Sequence, residues 1–119
     1  MLTHQEAFEI GHNWIDTWNR NCLTDYSHLY AEDAEEVSSL ANRLIMASHG
    51  HLKGKKLLMD YWEILRSKLP NHHYALEDIQ LYNGHVFVHF HIPALETKAI
   101  ARIMLNRQNQ IEKIRISHV

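Results

Sequence analysis

The dipeptide Asn83-Gly84 sits between two stretches that alternate apolar and polar residues, Tyr74 to Tyr82 and His85 to Ile92. A two-residue type I′ turn needs positive φ at both central positions, which Asn and Gly tolerate, so the pattern specifies a β-hairpin. The turn fixes the register as well. Pairing Tyr82 with His85 sets Leu81 against Val86, Gln80 against Phe87, Ile79 against Val88 and Asp78 against His89. Two further strands, Thr97 to Asn106 and Ile111 to His118, flank the polar turn Arg107-Gln108-Asn109-Gln110.

The first half follows a different period. Thr3 and Glu6 form a capping box, and Ala7, Phe8, Gly11, Trp14, Ile15 and Trp18 recur at helical spacing until Asn19 and Asn21. A second helix is predicted from its N-cap Thr24 to Tyr30, and an extended segment from Ala34 to Leu40 despite the strand-poor Glu35 and Glu36. Between Ala41 and Lys53, apolar Leu44-Ile45-Met46 followed by Ser48-His49-Gly50-His51 reads as a short strand or an ordered loop. Gly54 then opens a third helix carrying Leu57, Leu58, Tyr61, Trp62, Leu65 and Leu69, which Pro70-Asn71 stops. Helices first and an antiparallel meander afterwards define the α+β class, with the helices packed on one side of a curved sheet. The 119 residues suffice for one domain, 1–119.

Charge narrows the partners. Twelve basic against fourteen acidic side chains give a net −2 with no basic block, which disfavours nucleic acid. No long apolar run predicts a membrane span, and the single Cys22 with no leader-like start predicts a reducing, cytoplasmic setting. Histidine is the unusual residue. There are eleven, so much of the charge titrates near neutrality.

Several short runs, taken in order, resemble one family. They are Trp14-Ile15-Asp16-Thr17-Trp18-Asn19, Asp25-Tyr26-Ser27-His28-Leu29-Tyr30-Ala31-Glu32-Asp33-Ala34, Leu52-Lys53-Gly54 before the Tyr61-Trp62 helix, and the closing hairpins. Together they resemble the SnoaL-like branch of the NTF2-like superfamily over nearly the whole chain. That resemblance implies an α+β cone in which three helices pack in a strongly curved, mainly antiparallel sheet, with a pocket at the open end. It also implies a homodimer, joined through the outer sheet face. The scaffold hosts isomerases, cyclases, dehydratases, epoxide hydrolases and non-catalytic binders, so the reaction must be argued from the site.

For isomerase chemistry the resemblance places the donor at about Trp14, the base at about Ser38 and the protonated acid at about Ala101, and none carries the needed group. Glu36 would supply a carboxylate only with a register slip of two. For dehydratase chemistry His72 and His73 take the histidine's place, while Asn21 and Cys22 stand where the orienting carboxylate belongs, unless Asp25 reaches in. His85, Phe87, His89 and His91 share one strand face. The family comparison turns His89 and His91 into the cone, with Asp78 across the pair; the alternative puts Val86, Val88, Phe90 and Ile92 inside. His89-x-His91 and His49-x-His51 also have the spacing of metal ligands, but two imidazoles are not a site, and neither a metal nor another cofactor is predicted.

The preferred reading is a binder of a small hydrophobic or ring-bearing molecule. Its candidate lining is Trp14, Trp18, Tyr30, Trp62, His91, Ile103 and Ile116. The enzyme alternative is a lyase or isomerase using His73, or His89 with Asp78, as proton carrier. A third reading is an assembly module whose cone is filled by its own side chains.

Overall fold

The computed structural model describes residues 1–45 and 48–119. Helix α1 (His4–Asn19) begins where its sequence caps it: Thr3 Oγ1 accepts from the Glu6 N–H at 3.1 Å, and Glu6 Oε1 accepts from the Thr3 N–H at 3.0 Å. Ala7, Gly11, Trp14, Ile15 and Trp18 are buried along one stripe. Phe8, placed on that stripe by periodicity, is instead 51% exposed and lies beside His12. Helix α2 (Leu23–Ser27) is shorter than predicted and starts from Cys22 without a side-chain cap.

Strand β1 (Tyr30–Ser38) therefore begins four residues before the expected Ala34, and Tyr30 belongs to it rather than to the helix. Its acidic residues are tolerated because the strand has neighbours on both edges. It pairs antiparallel with β2 (His51–Lys53) and parallel with β6 (Ile111–His118), and those ladders outweigh local propensity. Ser38 Oγ then accepts from the Leu40 N–H at 3.2 Å and caps a helix α3 (Ser39–Leu44) in a region read as strand or loop. Leu44 closes that helix, and Met46 lies outside the described residues. Helix α4 (Lys55–Lys68) follows Gly54 and buries Leu58, Tyr61, Trp62 and Leu65.

Strands β3 (Ala75–Tyr82) and β4 (His85–Ile92) pair in the predicted register from Tyr82–His85 to Asp78–His89, around Asn83 and Gly84 at φ 51° and 75°. A bulge between Leu76 and Asp78 shifts the remainder. After a 3₁₀ turn at Pro93–Leu95 come β5 (Thr97–Leu105) and β6. The sheet order is β2-β1-β6-β5-β4-β3, a mixed curved sheet with α1 and α4 packed against it. The meander is thus joined to the helical half through the parallel β1–β6 pair.

One face of the sheet meets the helices. Val86, Val88, Phe90 and Ile92 of β4 are at most 1% exposed, as are Ala101, Ile103 and Ile114 on the neighbouring strands. This corrects the inward placement of His89 and His91. Both are only half-buried on the opposite face, and the His91 side chain is 42% exposed. Burying four large apolar side chains is worth several kcal/mol more than burying imidazoles, which decides which face turns inward.

Candidate functional site

The cone interior is built from rings. Trp14 and Trp18 come from α1, Tyr26 from α2, Tyr30 from β1, Trp62 from α4, Tyr74 from the segment before β3 and Phe90 from β4. Trp18 stacks on Tyr74 at 5.1 Å, Tyr26 and Tyr30 each meet Trp62 at 4.7 Å, and Phe90 touches Tyr74 at 4.5 Å. Such pairs add specific geometry to the burial of large apolar surfaces. The interior is close-packed around these rings.

A carboxylate lies in the middle of them. Glu36 follows Ala34 and precedes Ser38 on the inward face of β1, so no register slip is needed to bring it inside. It is 2% exposed, and the Trp62 indole N–H donates to its Oε1 at 3.3 Å. Loss of hydration pushes its pKa up to about 7, and the indole bond offsets only part of that rise. Half-protonated at neutral pH, the group can both accept and return a proton.

Buried phenols nearby feel its charge. Trp14 donates from its indole to the Tyr30 hydroxyl at 3.0 Å, and the Tyr26 and Tyr30 hydroxyls share a 2.8 Å bond. A pair of hydroxyls sharing one bond uses one of its two protons there, so among the described residues the other remains free to donate. Burial holds both phenols above their ordinary range and therefore protonated, with Tyr26 further raised by Tyr30, and Tyr30 by the Glu36 charge. Tyr61 is held up by burial and then by Glu36, with the Ser38 hydroxyl as its hydrogen-bond partner. Two cavities border this core. One of about 240 Å³ has Trp14, Ile10, Asn13, Leu29 and Ile111 among its walls; another of about 170 Å³ opens beside Ser39, Arg43 and His118.

The predicted lining residues Trp14, Trp18, Tyr30 and Trp62 are together, each at most 1% exposed, with Ile103 at 0% and Ile116 at 8%. The proton carriers are elsewhere. His73 is exposed, and His72 is the buried member of that pair at 1% exposure. Asp25, Asn21 and Cys22 are exposed, so none of the three orients His72. His89 faces Asp78 in register but meets Gln80 Oε1 at 3.3 Å, while Asp78 Oδ1 accepts from the Ile79 N–H. His91 lies 3.6 Å from Glu77, and His51 bonds Glu35 at 3.0 Å. Among the described residues no three His, Cys, Asp or Glu side chains converge as metal ligands.

No family model and no curated protein matches this chain. Solved structures do. A SnoaL-like protein of unknown function from Burkholderia thailandensis superposes with a TM-score of 0.92 over 99% of this chain and 98% of its own, at 21% identity. A candidate isomerase of the SnoaL-like family from Agrobacterium tumefaciens gives 0.74 over 95% and 97%, at 16% identity. A de novo designed protein with a curved β-sheet gives 0.71 over 97% and 86%, at 12% identity. The fold of this chain is the SnoaL-like cone. One fold hosts many unrelated functions, so the reaction has to be argued from the site. No helix is long and apolar enough to cross a membrane among the described residues.

Proposed function

We propose that this chain acts on a small, mostly apolar, ring-bearing carbonyl compound, moving a proton with Glu36 as base and acid. The observation that carries this is a carboxyl 2% exposed, raised to about 7, in a cage of rings and hydroxyls. A structural core has little use for such a group, since an apolar side chain of the same volume would be more stable there. Glu36 removes a proton from the carbon next to the carbonyl, and the free proton of the Tyr26–Tyr30 pair hydrogen-bonds the enolate oxygen. Where the compound is β,γ-unsaturated, the enolate is a dienolate and Glu36 returns the proton to its γ-carbon, moving the carbon–carbon double bond into conjugation with no oxidant or cofactor. The cavity of about 240 Å³ shares Trp14 with the hydroxyl pair, so a ligand reaches Tyr30 and Glu36 from it by displacing the Trp14 indole. The active unit is a homodimer joined through the sheet face that bears His85, Phe87, His89 and His91.

Exchange of the α-protons of cyclopentanone and cyclohexenone in D₂O, followed by proton NMR, tests the reading. The wild type should accelerate exchange, with a rise as pH passes about 7. Glu36→Gln should abolish the effect while keeping the circular dichroism spectrum. Equal exchange rates in the two proteins would remove Glu36 from any proton-transfer role.

A second reading, the assembly module, is favoured by the closely packed interior, where Trp14, Trp18, Tyr30 and Trp62 leave at most 1% exposed. It predicts that tryptophan fluorescence stays unchanged on titration with the same ketones. The site reading predicts quenching, because a bound ring must displace indole contacts.

A further inference from the structure

A second polar site lies where the inward faces of β5 and β6 end. His118 continues the inward row of Ile114 and Ile116, and Thr97 begins the inward row of Ala99, Ala101 and Ile103. Ala99 pairs with His118, which sets the imidazole next to Thr97. Helix α3 supplies Ser39, Leu40 and Arg43 opposite them, and Leu95 completes the wall of the cavity of about 170 Å³. The volume corresponds to roughly six water molecules.

These walls offer a guanidinium, an imidazole and two hydroxyls, and no carboxylate side chain. Among the described residues two of these groups are poorly partnered. His118 Nε2 is buried and unbonded. Thr97 Oγ1 has only long contacts, 3.4 Å to Lys98 O and 3.5 Å to Val119 O. Buried donors left unpaired cost stability, and an acceptor with several lone pairs relieves that cost.

We infer that this rim cavity binds a small oxyanion, a carboxylate or a phosphate, held by Arg43, His118, Ser39 and Thr97. The site does not depend on proton transfer at Glu36. The charged or titratable groups facing His118 are Arg43 from α3 and His72 after α4, with Arg66 of α4 beyond His72. Burial, and then Arg43, hold His118 below the ordinary imidazole range. An anion in the cavity offsets Arg43 and draws a proton onto His118, so affinity rises as pH falls through that range.

The experiment follows the imidazole C–H signals of the whole chain by NMR, with the His118 signal identified by its loss in His118→Gln. Sodium acetate and inorganic phosphate are titrated separately at ionic strength matched with sodium chloride. The expected result is a saturable upward move of the His118 titration midpoint with at least one of the two anions, weakened about tenfold in Arg43→Gln. A response to both identifies a general oxyanion site, a response to phosphate alone a phosphate site, and a response to acetate alone a carboxylate site. Acetate stays ionised over this range, so tighter acetate binding at lower pH reports the proton on His118. A midpoint that moves no more than in chloride, or equally in Arg43→Gln, overturns the assignment. Arg43 is exposed, so its replacement leaves the core intact.

Discussion

Glu36 and His72 are buried with opposite preferences, and their effects on stability run in opposite directions. Glu36 titrates at about 7 in the fold against 4.5 unfolded, so the fold favours its proton. Its stabilising effect is fully present below pH 4.5 and is lost as pH rises through about 7, a change of about 3 kcal/mol. Burial, then Arg66 and His118, lower His72 from 6.5 to about 4. Its effect is present above pH 6.5 and is lost as pH falls toward 4, again about 3 kcal/mol. Between pH 4.5 and 6.5 these two slopes cancel, so the wild type should show a flatter urea-unfolding profile there than either single variant. Glu36→Gln should uncover the His72 slope, with stability rising about 1.4 kcal/mol per pH unit across that window. At pH 8 the same variant should exceed the wild type by up to about 3 kcal/mol. His72→Asn should show the reverse slope in the same window. Parallel profiles for wild type and variants would contradict the burial of both charges. Neither group could be singled out from its neighbours in the chain. Glu36 gains its indole partner from Trp62, 26 residues away, and although alternation from Ala34 to Ser38 turns it inward, the sequence does not show that partner or its burial. His72 and His73 are adjacent, and only the turn after α4 decides which one is covered.

At the level of elements, α1 and β3 meet at a glycine. A Cβ on Gly11 would stand 2.7 Å from Ile79 Cδ1, 3.0 Å from Cγ1 and 3.2 Å from Cγ2. Rotating Ile79 to free one branch leaves the other in contact, so the helix must move off the sheet. Alanine is normally favoured over glycine inside a helix by about 1 kcal/mol. Here Gly11→Ala should cost about 1–2 kcal/mol in thermal or urea unfolding, because overpacking outweighs propensity. Adding Ile79→Val, which removes Cδ1, should recover most of the loss; no recovery would place the strain elsewhere. The Gly11 position fell on the helical stripe, but its contact with Ile79 is a tertiary fact that periodicity does not carry. What was legible follows the range of the interaction. The β3–β4 register is set by a two-residue turn, and the α1 start by a four-residue capping box; both appear as predicted. The parallel pairing of β1 with β6 joins residues about eighty apart, and the start of β1 was misplaced by four residues for lack of it. Alternation in β4 defined two faces correctly, yet the choice of the inward one rests on burial of Val86, Val88, Phe90 and Ile92 against the helices.

For the whole molecule, the curved sheet leaves one face without helices. Five of the strands are eight or nine residues long and give that face roughly 25 Å by 25 Å, about 600 Å² in projection against the ~800 Å² of accessible surface each partner contributes to a standard interface. Its centre is mixed. Phe87 and His89 of β4 pair with Arg102 and Ile100 of β5, and Met104 pairs with Lys113 of β6. Phe87, Ile100 and Met104 are only half-buried, which leaves apolar surface for a second copy to cover, while Arg102 stands over the Phe87 ring at 5.7 Å. A self-complementary face of this kind suits a two-fold dimer, because each apolar centre meets its own copy and the charged rim stays in water. Light scattering on gel-filtered protein should therefore give twice the 14.1 kDa chain mass. Ile100→Glu should give the single-chain mass with an unchanged circular dichroism spectrum, since the inserted carboxylates would face each other across the two-fold. The concave side is insulated from that change by the sheet itself, so the Ile100→Glu monomer should keep the pH profile of Glu36 and the oxyanion response of His118. A wild-type protein that elutes as a monomer would leave the face uncovered and withdraw the dimer.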